Sequence, residues 1–209
     1  MKTRLPVFTL VVASAAVIIA ASPALQAMLV YDRPAILSGE FWRLFTGHWV
    51  HFSTRHLIYD TGAFAIAGWM IESRGHKNFG WLCLVSPLLI GISLLLFTPN
   101  LARFGGLSGM ATAAVTYSAL AGLDGERRWR RIGMIVLCLT AGKIIFEFAC
   151  GGFVFVHFGD TQINSVPLNH LMGALSACFI HFVMNPTAHA WARRDQASSA
   201  VFSPANPSK

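Results

Sequence analysis

The chain has 209 residues, 55% of them hydrophobic and only 12% charged, with a mean hydropathy of +0.56; that balance excludes an ordinary water-soluble domain. Its formal net charge of +7 and pI of about 9.8 do not mark a nucleic-acid binder, because the basic residues sit in short clusters between apolar runs instead of covering one face. The composition is that of a polytopic membrane protein whose Lys and Arg residues report topology.

Six apolar segments, at 6–28, 55–71, 79–97, 105–122, 132–150 and 167–185, approach the roughly 20 residues that a bilayer crossing requires. They predict an all-α, six-transmembrane-helix bundle. The first follows Lys2 and Arg4 and ends in the small residues "ASPALQA", a pattern like a signal peptide; the five later spans favour an uncleaved anchor. The loop after it contains "GEFWR" at 39–43. The second span is the least apolar and carries His56 and Asp60 near its start. The fourth opens on "FGGLSGMATAA", which sets Ser108 among small residues suited either to close helix packing or to chemistry. "DGERRWRR" at 124–131 reads as a basic cluster for anionic headgroups. In the fifth span Lys143 and Glu147, one turn apart, read as a mutually neutralising pair facing the bundle and stay outside the catalytic set. The loop 151–167 is apolar and glycine-containing, a candidate lid. Residues 1–186 form one membrane domain, and 187–209, rich in Ala, Ser and Pro, read as a disordered tail. Cys83, Cys138, Cys150 and Cys178 fall in spans without Cys-x-x-Cys spacing and are expected to be small core residues.

Counting Lys and Arg in alternate loops separates the two faces. One side holds Lys2, Arg4, Arg74, Lys77, Arg127, Arg128, Arg130, Arg131, Arg193, Arg194 and Lys209, against Arg33, Arg43, Arg55 and Arg103 on the other. The excess places both termini in the cytoplasm, so the second, fourth and sixth spans run from the outside inward. His56, Asp60, Ser108 and His170 then share one depth in the outer third of the bilayer. Ionisable residues there are costly and mark a functional site.

A serine hydroxyl needs a neighbouring base to become a nucleophile, and neutral imidazole serves near pH 7. Ser108 and His170 are the candidate pair for nucleophilic acyl transfer. Gly106 and Gly109 allow a substrate backbone to come close and expose a backbone N–H to an oxyanion.

These residues carry a resemblance. "GGLSG" at 105–109 and "HLMG" at 170–173 resemble the Gly-x-Ser-Gly and His-x-x-Gly motifs of the rhomboid intramembrane serine proteases. "HFSTRHLIYD" at 51–60 is similar to that family's second-span pattern of two histidines followed by an asparagine, and "GEFWR" resembles its Trp-Arg loop motif. The resemblance implies Ser108 as nucleophile and His170 as general base and acid, a dyad without an aspartate. It implies an oxyanion hole from the Ser108 N–H and His56, and a structural part for His51, Glu40, Trp42, Arg43 and Gly173. Asp60 stands where the family has an oxyanion-donating asparagine. An ionised carboxylate cannot donate, so Asp60 is either protonated or holds His56, and the second is preferred. "GEFWRLFTGHWVH" and "VPLNHLMGALSA" most resemble the rhombosortase branch, whose members process surface proteins bearing a C-terminal Gly-Gly tag, an apolar helix and a basic cluster. The implied partners are the lipid bilayer and a membrane-anchored protein substrate with a C-terminal transmembrane segment, cut at the outer face of a bacterial inner membrane. No nucleic acid, cofactor or metal is expected.

Two other classes compete. Eight histidines raise metal or haem binding, with His48, His51 and His56 at loose ligand spacing, but no His-Glu-x-x-His motif occurs. A non-catalytic rhomboid-like binding protein or chaperone is the other; dead relatives typically lack the serine or the histidine, and this chain keeps both.

Overall fold

The computed structural model describes residues 5–150 and 166–184. The predicted lid falls almost wholly outside them, and the C-terminal tail wholly so.

The first apolar run is not one straight helix. Helix α1 (Val7–Ala20) and helix α2 (Pro23–Leu29) are bent by 113° at a short break, which corrects the expectation of a continuous span over 6–28. Proline disfavours helical geometry in the residue before it and suits the first position of a new helix. Ser22 caps α2, its hydroxyl accepting from the Leu25 N–H at 3.4 Å, so the chain restarts in a new direction. A two-residue strand β1 (Tyr31–Asp32), helix α3 (Arg33–Leu37), helix α4 (Arg43–Thr46) and a 3-10 turn (Gly47–Trp49) follow. Helix α5 (Thr54–Ser73) starts at a Ser53 cap that accepts from the His56 N–H at 3.2 Å. Helix α6 (Phe79–Phe97) leads through strand β2 (Arg103–Phe104) to α7 (Ser108–Leu123), α8 (Arg127–Cys150) and α9 (Pro167–Met184). The strands pair antiparallel, Tyr31 with Phe104 and Asp32 with Arg103. This small ladder, absent from the all-α expectation, ties the first loop to the segment just before Ser108.

Helix α7 is the axis of the bundle. Ten of its 16 residues are buried, and most of those are Gly or Ala, which lets four neighbours approach its backbone. A methyl group on Gly173 of α9 would run into the Gly109 carbonyl of α7, with its carbon at 3.0 Å, and one on Gly109 would run into Asn169. On the next face Gly133 of α8 packs so closely on α7 that a methyl there would meet the Ala119 carbonyl at 2.5 Å. The spacing of small residues therefore does make a packing face. Outside the bundle, Leu139, Ile145 and Phe148 of α8 are 67%, 67% and 55% exposed, an apolar exterior that only lipid solvates well.

By length and composition α6, α8 and α9 can each cross a membrane, and the bent α1–α2 pair makes a fourth if it is one span. Helices α5 and α7 fall outside that set. Arg55, His56, Asp60 and Glu72 dilute the apolar residues of α5, and α7 has only 16 residues, about 24 Å against roughly 30 Å of hydrocarbon. The cysteines divide differently from expectation. Cys83 is buried, Cys178 is half-buried, and Cys138 and Cys150 are exposed on the lipid-facing side of α8; all four are free thiols.

Candidate active site

Ser108 is the first helical residue of α7, not a turn inside it. The backbone N–H of a first-turn residue has no acceptor within its own helix, and the helix dipole leaves positive potential there. The Ser108 hydroxyl accepts from the Asn169 amide Nδ2 at 2.9 Å, across α7 and α9. Asn169 is buried, and its Oδ1 has no hydrogen-bond partner among the described residues. Among those residues no hydrogen bond joins the Ser108 oxygen to His170; the serine is held instead by the residue that precedes it. Gly109, next to Ser108, is the point where the Asn169 amide seats, its Cγ lying 2.7 Å from where a β-carbon would stand.

The loop before Ser108 is shaped by Gly106, whose φ of +146° suits glycine. A β-carbon there would lie 2.9 Å from both Cε1 and Nε2 of His56 and 3.3 Å from Asp60 Oδ2. The start of α5 is thus pressed against the segment leading into the serine. Asp60 Oδ2 is 3.0 Å from His56 Nε2, one turn away on the same helix, and 3.4 Å from His51 Nε2. The tautomer of His51 follows from its partners. The Leu107 N–H, which can only donate, reaches His51 Nε2 at 3.3 Å, so the ring proton sits on Nδ1 and is donated to the Trp49 carbonyl at 3.1 Å. His51 is therefore a bridge between the first loop and the residue before Ser108, and of the two rings His56 lies nearer to Asp60 Oδ2, which accepts no hydrogen bond among the described residues.

On the other side of Ser108, His170 stands four residues into α9 and is buried. Its Nδ1 lies 2.6 Å from Glu147 Oε2, and Lys143 Nζ lies 2.7 Å from Glu147 Oε1 and 3.0 Å from His170 Nδ1. Glu147 is 1% exposed and Lys143 24% exposed in their side chains. The lysine and glutamate are paired, as the sequence indicates, but the pair is also joined to His170. Three residues of this neighbourhood, Asn169, Lys143 and Glu147, were not among the site residues expected from sequence. Asn169 offered a signal, since it adjoins His170; Lys143 and Glu147 offered one as ionisable residues inside a span, but nothing local tied them to a histidine 23 residues beyond Glu147.

The "GEFWR" segment acts at a distance from the serine. The carbonyls left open where α2 ends are taken up one after another: Ala27 and Val30 by Arg43 Nη1 at 3.0 and 2.9 Å, Met28 by the Trp42 indole at 3.4 Å, and Leu29 by the Thr46 hydroxyl at 2.8 Å. Arg43 Nε donates to Glu40 Oε2 at 2.6 Å. His48 is wholly buried with its Nε2 3.0 Å from the Pro87 carbonyl of α6; burial pushes its pKa down to about 4, against the opposing effect of that bond. His48 and His51 are thus each committed to backbone groups, and among the described residues no group of three or more His, Cys, Asp or Glu is arranged to hold a metal.

A short, small-residue helix thus stands at the centre of an apolar helical bundle, with a serine at its head and an imidazole in the adjoining helix. Residues 38–187 match the Rhomboid domain family, and the chain belongs to that family of intramembrane serine proteases. The matched region begins just before "GEFWR" and contains the α5, α7 and α9 motifs together.

Proposed function

We propose that this protein is an intramembrane serine endopeptidase in which Ser108 attacks the scissile carbonyl of a membrane-anchored substrate and His170 moves the proton. The observation that carries the reading is the position of Ser108 at the head of the buried α7, its hydroxyl hydrogen-bonded to the residue adjoining His170. In the acylation step the Ser108 oxygen bonds to the carbonyl carbon while its proton passes to His170 Nε2. The tetrahedral oxyanion is met by the Ser108 N–H and the His56 ring. The C–N bond then breaks as His170 returns the proton to the leaving amine, and water or an acceptor amine resolves the acyl enzyme. Asp60 has the part of fixing His56 through Nε2; the ring then reaches the oxyanion through Nδ1, which takes protons on both ring nitrogens and leaves the ionised carboxyl as their counter-charge.

The shortness of α7 supports this chemistry inside a bilayer. Helix α8, at 24 residues, is about 36 Å long against about 24 Å for α7, so α7 is too short to cross roughly 30 Å of hydrocarbon and a serine at its head can stay within the bilayer. The Lys and Arg distribution turns that end toward the outer face of a bacterial inner membrane, with both termini cytoplasmic. A substrate helix bonds its own backbone internally and must unwind locally to present a carbonyl, which favours small, helix-weakening residues at the cut. That requirement agrees with a Gly-Gly sorting tag of the rhombosortase kind.

The test is labelling with a fluorophosphonate probe in detergent. The parent is expected to label at Ser108, and Ser108→Ala and His170→Ala to lose the label. Equal labelling of Ser108→Ala overturns the reading in favour of a non-catalytic binding protein. With a tagged substrate in proteoliposomes, mass spectrometry should find the cut beside small residues; a cut inside an unbroken Leu-rich helix removes the proposed specificity.

A further inference from the structure

We propose that Glu147 is a positioning residue for His170, so that the site works as a serine–histidine–glutamate relay with Lys143 as the counter-ion of the glutamate. This rests on the reading of Ser108 and His170 as nucleophile and base. A ring nitrogen and a carboxylate oxygen 2.6 Å apart require a proton between them, since neither lone pair accepts the other. With the proton on Nδ1 and donated to Glu147 Oε2, the histidine has its basic lone pair on Nε2, the tautomer able to take the serine proton. The imidazolium formed during acylation then faces an anion, which lowers the barrier to proton transfer.

Lys143 decides between this state and an idle one. Its ammonium is 3.0 Å from the same Nδ1, and if it donated there the ring proton would move to Nε2 and the base would be lost. The Glu147 contact is the shorter, and Glu147 also engages the ammonium through its other oxygen at 2.7 Å, so the carboxylate holds the lysine off the ring. The lysine in turn neutralises a carboxylate with 1% of its side chain exposed, which would be costly to leave as a lone charge in a membrane. Among the described residues the titratable groups that act on Glu147 are His170 and Lys143; Tyr117 of α7 lies against His181, and Cys83 of α6 belongs to the core with Phe79.

The experiment is the rate of fluorophosphonate labelling from pH 5 to pH 9 in the full-length protein. In Glu147→Gln the rate should fall by about 100-fold or more, and the acidic limb of the profile should move to lower pH because the imidazolium has lost its anion. Glu147→Asp should recover part of the rate and the parent's limb. Lys143→Met, which removes the competing cation, should move the limb to higher pH, so the relay remains testable if Glu147→Gln does not fold. Glu147→Gln labelling at the parent's rate with an unmoved limb, or an unmoved limb in Lys143→Met, overturns the relay while Ser108 still labels. A parent that never labels at Ser108 instead overturns the protease reading.

Discussion

Gly106 shows how a backbone conformation and a side-chain contact can be imposed at one position. Its φ of +146° disfavours any residue with a β-carbon, and that carbon would press on the His56 ring at 2.9 Å. The neighbour cannot easily yield, because His56 is also held by Asp60 at 3.0 Å. Gly106→Ala should therefore cost about 1–3 kcal/mol of stability and, by displacing His56, lower fluorophosphonate labelling by at least about 10-fold. Labelling at the parent's rate would show that the loop before Ser108 has no fixed relation to His56. The His51 bridge sharpens the same point, since its two ring nitrogens join Trp49 and Leu107. The residue to which the family resemblance gives a structural part has both ring nitrogens engaged in holding two loops together.

Helix α2 illustrates a different economy. Seven residues are too few to be stable alone, and the end of α2 at Leu29 leaves its last carbonyls without donor partners inside the helix. Arg43, Trp42 and Thr46 satisfy four of them from a single turn of α4. Arg43→Ala should therefore destabilise the protein by about 3 kcal/mol, leaving buried acceptors unmet. Arg43→Lys should restore little, because one ammonium cannot reach Glu40 and two carbonyls in the geometry of a guanidinium. Thermal unfolding in detergent measures both, and a melting temperature unchanged in Arg43→Ala would refute the clamp. The packing of α7 on α9 through Gly109 and Gly173 follows a related rule, in which the absence of a side chain on each helix sets how near Ser108 comes to the residues of the other.

Across the molecule, the charges held in the first loop set how the fold responds to acid. His48 is neutral and wholly buried, with its pKa pushed down to about 4 from an ordinary 6.5. Between those values the unfolded chain binds a proton that the folded chain refuses. Stability from this group is complete above about pH 6.5, declines as pH falls, and is lower by about 3 kcal/mol once pH 4 is reached. Asp32, held below the usual carboxylate range by the Ala35 N–H and then by Arg103, adds a further loss only at still lower pH. The melting temperature should accordingly drop between pH 6.5 and pH 4, and the drop should be shallower in His48→Gln. A melting temperature flat across that window would contradict the burial of a neutral ring. Because β1, β2 and the Pro87 carbonyl all meet in this region, its loss would loosen the loop that leads into Ser108.

Much of this protein was written in short-range patterns. Hydropathy over about 20 residues is a local quantity, and it marked α6 at 79–97 and α9 within a residue of its ends. For α8 it missed only the first turns, where the arginines of "DGERRWRR" continue the helix outside the apolar run. Motifs contained within a few residues were equally legible, which is why "GGLSG", "HLMG" and "GEFWR" pointed to the family that residues 38–187 match. Contacts between distant residues were not legible, because they depend on where helices cross. The 113° bend between α1 and α2, the carbonyls at the end of α2 that Arg43 of α4 reaches, the amide of Asn169 of α9 on Ser108 of α7 and the carboxylate of Glu147 of α8 on His170 of α9 each depend on how separate elements meet in space. A one-dimensional pattern can say that Lys143 and Glu147 share a helix face; only the angle and depth at which α8 meets α9 say that the face looks onto a histidine.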